Sequence, residues 1–210
     1  ISACLVGSEM CIRDSALSAA DFGSTGSRTL LSNIAIGNNA LNSTSTNSMT
    51  GTIAIGEDAL TALTSGARST AVGYRAGVEI DIGDRNTMIG YAAMGDSLAG
   101  LQNDDNTFVG DNCGGGTWVS NASSDNVGVG SSALAGAMNG GGENTAIGAF
   151  AFKALTSADE NTALGFEAGT LVTTGSANTL IGSKAGSKDI TGSGNVAVGK
   201  SALNNLYGSS

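Results

Sequence analysis

One short motif occurs ten times in this chain of 210 residues and limits what it can fold into. The first five copies are NIAIGNNAL (33–41), TIAIGEDAL (52–60), STAVGYRAG (69–77), NTMIGYAAM (86–94) and NTFVGDNCG (106–114). The other five are NVGVGSSAL (126–134), NTAIGAFAF (144–152), NTALGFEAG (161–169), NTLIGSKAG (178–186) and NVAVGKSAL (195–203). Their central glycines are Gly37, Gly56, Gly73, Gly90, Gly110, Gly130, Gly148, Gly165, Gly182 and Gly199, spaced 17 to 20 residues apart. Each follows Ile, Val or Leu, and the third residue after it is Ala in nine copies and Cys113 in the tenth. Eight copies begin with Asn, the exceptions being Thr52 and Ser69.

A period near 17 residues is too short for a pair of helices and suits one turn of an all-β, parallel β-roll or β-solenoid, each turn stacking about 4.8 Å above the last. Ten such turns would make a rod about 45 Å long. A glycine in every copy is what a tight corner with positive φ requires, and an Asn in every copy can form an amide ladder along the stack. The residues one and three before the glycine share one strand face, and the residue between them takes the other. That middle residue (Ala35, Ala54, Ala71, Met88, Phe108, Gly128, Ala146, Ala163, Leu180, Ala197) is never polar. A strand apolar on both faces is covered on both. One face is therefore expected to close the roll's own thin core and the other to pack against a second chain. A further apolar position seven residues after many glycines (Leu63, Ile80, Leu155, Val172, Leu206) is expected to supply a return strand.

Composition agrees with a thin core: 33 glycines, 4% aromatic and 13% charged residues, with no proline or histidine. No apolar run reaches the length of a membrane-spanning helix, so no direct membrane insertion by this segment is expected. A net charge of −9 disfavours nucleic acid and anionic lipid, both of which need a basic footprint.

The opening residues, CLVGSEMCIRDS (4–15), share nothing with the repeat. Glu9, Arg13 and Asp14 break any apolar run, so a secretory signal does not fit. Leu5 to Asp14 is similar, residue for residue, to the translation of a sequencing-library adapter. Three segments are expected: 1–15 an adapter-derived scar outside the fold, 16–32 a lead-in, and 33–210 the roll.

The motif N-x-A-I-G-x-x-A resembles the head repeats of trimeric autotransporter adhesins, and similar repeats occur in phage tail-fibre proteins. The likeness covers about residues 33–207. It implies a left-handed β-roll wound as a homotrimer, extracellular, on a bacterial cell surface, attaching to a host surface protein or glycan. The tail-fibre resemblance implies instead a shaft or receptor-binding segment of a virion.

Enzymatic readings are weak. The hexad [LIV]-G-x-x-A-x is similar to that of left-handed β-helix acyltransferases, but those need three hexads per turn and a histidine base. No nucleophile–histidine set can be assembled, so no catalytic residue and no obligatory cofactor is expected. An ice-binding solenoid would need regular Thr-x-Thr ladders, and the threonines here are mostly single in each turn. Two features remain as candidate sites. Asp105, Asp125, Glu143 and Glu160 precede the motif in four consecutive copies; stacked like charges suggest either a ladder for Ca²⁺ or another cation, or a solvated rim. The longest loops, 94–105 and 113–125, hold Trp118 and Asn121. Trp118 could stack on a ligand, fold over its own loop or fill a trimer contact.

Overall fold

The computed structural model describes residues 3–4, 10–12, 30–43, 49–96, 100–188 and 191–204, with side chains from residue 32 onward. In chain order the strands are β1 (Ala3–Cys4), β2 (Met10–Ile12), β3 (Leu30–Leu31), β4 (Ile34–Ile36), β5 (Met49–Thr50), β6 (Ile53–Ile55) and β7 (Thr70–Val72). Then follow β8 (Thr87–Ile89), β9 (Thr107–Val109), β10 (Val127–Val129), β11 (Thr145–Ile147), β12 (Thr162–Leu164), β13 (Thr179–Ile181) and β14 (Val196–Val198). No helix occurs among the described residues.

Each motif supplies one strand of a parallel stack, β4 followed by β6 through β14. The register is motif on motif: Ala35 lies opposite Ala54, Thr70 opposite Thr87, and Leu164 opposite Ile181. Ten such strands bound about nine complete turns, one fewer than the number of motifs. The segment expected to stand outside the fold adds backbone to this sheet. β2 pairs in parallel with β4, Met10 opposite Ile34 and Ile12 opposite Ile36, and β1 pairs antiparallel with β2. The expected return strand is largely missing among the described residues. Leu63, Ile80, Leu155 and Val172 are buried, but in irregular backbone; Leu206 lies outside the described residues. Away from the motif strands, the strand pairing among the described residues is β3 with β5 and the bridge between Ser65 and Ile82, with scattered backbone hydrogen bonds between turns, such as the Asn139 N–H to the Thr156 carbonyl and the Thr156 N–H to that of Thr173.

The strand's middle residue faces the roll's own core. Ala35, Ala54, Ala71, Met88, Phe108, Ala146, Ala163 and Leu180 are fully buried, as are the small residues three positions after the glycines from Ala40 to Ala185; Ala202, in the last turn, is partly buried. Size is matched between neighbouring turns. Phe108 is the largest middle residue, and the strand above it carries Gly128, where a Cβ would come within 2.7 Å of the Phe108 ring. Gly114 yields to the same ring, since a Cβ there would lie 2.9 Å away. In a core this thin, close packing leaves no slack for an added methyl group.

The motif's first residue forms a spine inside the roll. Each Asn from Asn106 to Asn195 donates its amide Nδ2–H to the Oδ1 of the Asn one turn earlier, at 2.9–3.3 Å. The same Oδ1 accepts the backbone N–H of that next Asn at 2.9–3.1 Å. The second amide hydrogen often reaches the next turn, three residues before the next rung: Asn126 donates to the Gly141 carbonyl and Asn144 to that of Ala158. A buried amide is tolerable only when its donors and acceptor are all used, and here the stack uses them.

Candidate interaction surface

With the middle residues turned inward, the two flanking residues of every strand line the outer face. One position before the corner glycine, Ile36, Ile55, Val72, Ile89, Val109 and Val129 continue into Ile147, Leu164, Ile181 and Val198. None is buried, and Leu164 is 45% and Val198 68% exposed. Strand pairing holds these side chains in register, so they form one apolar stripe along the stack. Beside it runs a second line, with Thr at 70, 87, 107, 145, 162 and 179. On the next position after the glycine, Tyr74 and Tyr91 stack at 5.7 Å, and exposed Phe166 meets Phe150, two positions after Gly148, edge to face at 6.1 Å. Lone exposed apolar side chains are ordinary, but a contiguous stripe of this length is a feature of surfaces that meet another molecule.

Trp118 is fully buried inside the described roll. Its indole N–H donates to the Gly114 carbonyl at 2.9 Å, and its ring meets Phe108 edge-on at 5.6 Å. The reading in which it folds over its own loop describes its place, and no face is left for a ligand. Asn121 stays at the surface, where its Nδ2–H donates to Asn139 Oδ1 at 2.9 Å. Cys113, beneath the same loop, is buried and its thiol is pushed up to about 12 by burial, so it stays protonated at neutral pH.

The four acidic residues before the motif occupy the left-handed backbone region with φ near 60°, as do Arg85 and Arg68 at the same position one and two turns earlier. Asp105 is bound by Arg85, whose Nε–H and Nη2–H donate to its two carboxylate oxygens at 2.5 and 2.6 Å. That hydrogen bonding holds the Asp105 carboxyl below the usual carboxylate range and the guanidinium above its own. Asp125, Glu143 and Glu160 form no such ion pair among the described residues. Among the described residues no three acidic, histidine or cysteine groups come together to hold a metal ion.

A second side-chain ladder has no counterpart in the sequence reading. Two positions before the motif, the Asp84 N–H donates to Asp104 Oδ1 at 2.7 Å and the Asp104 N–H to Ser124 Oγ at 3.1 Å. The pattern resumes with Gly142 onto Asp159, Asp159 onto Ser176 and Ser176 onto Ser193. These carboxylates and hydroxyls accept backbone donors that the missing return strand leaves unpaired. The signal is an Asp or Ser at one fixed offset, and it is easily passed over because the residue type changes.

Comparison with family models, with curated proteins and with solved structures finds no match to this chain.

Proposed function

We propose that the chain is a non-catalytic segment of an extracellular, trimeric surface adhesin, a rod that holds loops at a distance for attachment to a host surface. The observation that carries this reading is the apolar outer stripe from Ile36 to Val198, which strand pairing keeps straight and continuous. Three copies wound about a common axis bury that stripe on one another, removing it from water at about 25 cal/mol per Å² of apolar surface covered. Closed rotational symmetry also prevents the open-ended association that an exposed apolar face invites.

Light scattering of the full chain at two concentrations tests this reading. The expected mass is three times that of the 20.5 kDa chain, falling to the single-chain value when Leu164→Lys places a charge on the stripe. A soluble wild-type monomer at both concentrations rules out the trimeric assembly.

A further inference from the structure

We propose that a groove between the third, fourth and fifth motifs binds a glycan, an inference that rests on the adhesive reading above and gives it a site. The groove has a volume of about 280 Å³ and opens beyond the corner glycines, off the strand face. Its origin is a local loss of side chains. Five positions after the corner glycine, every other motif carries a side chain, from Ala135 to Lys153, whereas the fourth and fifth carry Gly95 and Gly115. Two positions after the glycine, Ala92 stands between Arg75 and Asn112. The floor is therefore backbone and one methyl group, and the walls are polar.

Those walls hold uncommitted hydrogen-bonding groups of both signs. The side chains of Arg75, Glu79 and Asn112 make no hydrogen bond or ion pair among the described residues. Asp96 closes the fourth side and accepts the Thr117 hydroxyl on one carboxylate oxygen at 2.5 Å, leaving the other open. A ligand that satisfies a guanidinium, two carboxylates and an amide in a shallow opening must present many groups that donate and accept at once, as sugar hydroxyls do. Apolar ligands find only Val78 and Ala92 to cover them, and two carboxylates repel a phosphate backbone.

The test uses the full chain, an array of immobilised oligosaccharides and two variants. Arg75→Ala removes the main donor. Ala92→Phe fills the groove, and the backbone accepts it because Phe150 occupies the same position at φ 60°. At least one oligosaccharide is expected to bind wild type and to bind both variants at least about tenfold more weakly, with melting temperatures unchanged. Equal binding by wild type and both variants overturns the groove assignment. So does the absence of any bound sugar from a chain that still adheres to host cell layers, an outcome that leaves the adhesive reading standing. Failure to bind both sugars and cells overturns the two together.

Discussion

The Asn spine runs through two regions that differ in how well it is made. From Asn86 to Asn195 the rungs are all asparagine, and from Asn106 on each is bonded to its predecessor through both side chain and backbone. From Asn33 to Ser69 the rungs are Asn, Thr and Ser. Asn33 Oδ1 still accepts the Thr52 N–H at 2.9 Å, and Ser69 Oγ accepts the Asn86 N–H at 3.2 Å, but the Thr52 hydroxyl is buried with no partner. Both regions keep the same strands, the same register and the same corner glycines. The coil of the roll is therefore set by the corners, and the amide ladder strengthens it without being needed to define it.

The sharpest way to break this comparison is at the corners themselves. At Gly148 the φ is 133°, and an added Cβ would run into the Gly165 carbonyl of the next turn. At Gly199, the last described corner, φ is 122° with nothing within 4 Å. Gly148→Ala is expected to cost on the order of 4 kcal/mol or more, since backbone must move as well as strain. Gly199→Ala meets the strain alone, about 1–3 kcal/mol. Urea unfolding at matched protein concentration measures both. Equal losses would mean that torsion, not stacking contact, fixes the glycine.

The spine comes next in size. Asn144→Ala strips the Asn161 N–H and one Asn161 amide hydrogen of their acceptor and the Ala158 carbonyl of its donor, while Asn126 Oδ1 keeps the Asn144 backbone N–H. Leaving such groups buried and unpaired is expected to cost about 2–4 kcal/mol. Ser69→Ala removes one acceptor in the weaker region and should cost about 1 kcal/mol. A Ser69→Ala loss as large as that of Asn144→Ala would erase the distinction between the regions. In the opposite direction, Thr52→Val removes the orphan hydroxyl at nearly constant shape and is expected to raise stability by about 0.5–1 kcal/mol. Any loss there would show that the hydroxyl has a partner in solution.

Much of this was legible in the sequence because a stacked repeat writes each structural demand once per turn. The corner glycines, the parallel register and the Asn ladder all follow from identity at a fixed offset. What the pattern could not decide was direction. Ala54 and its flanking Ile53 and Ile55 are all apolar, so period-2 alternation separates two faces without saying which one faces the core. The packing that decides it is local and irregular. Phe108 needs Gly114 and Gly128 around it, and Trp118 reaches back to the Gly114 carbonyl, contacts between residues that do not repeat. The return wall was misread for a related reason. A recurring apolar residue such as Leu155 marks burial, but burial at one position per turn does not make a strand, and its backbone is held by turns and side-chain acceptors.

The smallest expected effect lies on the outer rim, where the charge changes sign between Arg85 and Asp105, close to the place where the spine becomes all asparagine. The Arg85 hydrogen bonds lower the Asp105 pKa, so the unfolded chain binds this proton more readily than the folded one. The pair's contribution is therefore complete above the ordinary carboxylate pKa of about 3.9 and disappears as pH falls through the lowered value. Both groups are exposed, so solvent and salt keep the effect small. Wild type should melt slightly above Asp105→Asn at neutral pH, with the gap closing below about pH 4 and shrinking in high salt. Glu143→Gln, placed between Asp125 and Glu160 on the acidic part of the rim, should instead leave the melting temperature level or raise it, because it relieves repulsion between like charges. If Glu143→Gln destabilises the roll as Asp105→Asn does, the acidic run is held by attractive contacts of its own and the two parts of the rim are not the opposites that their charges suggest.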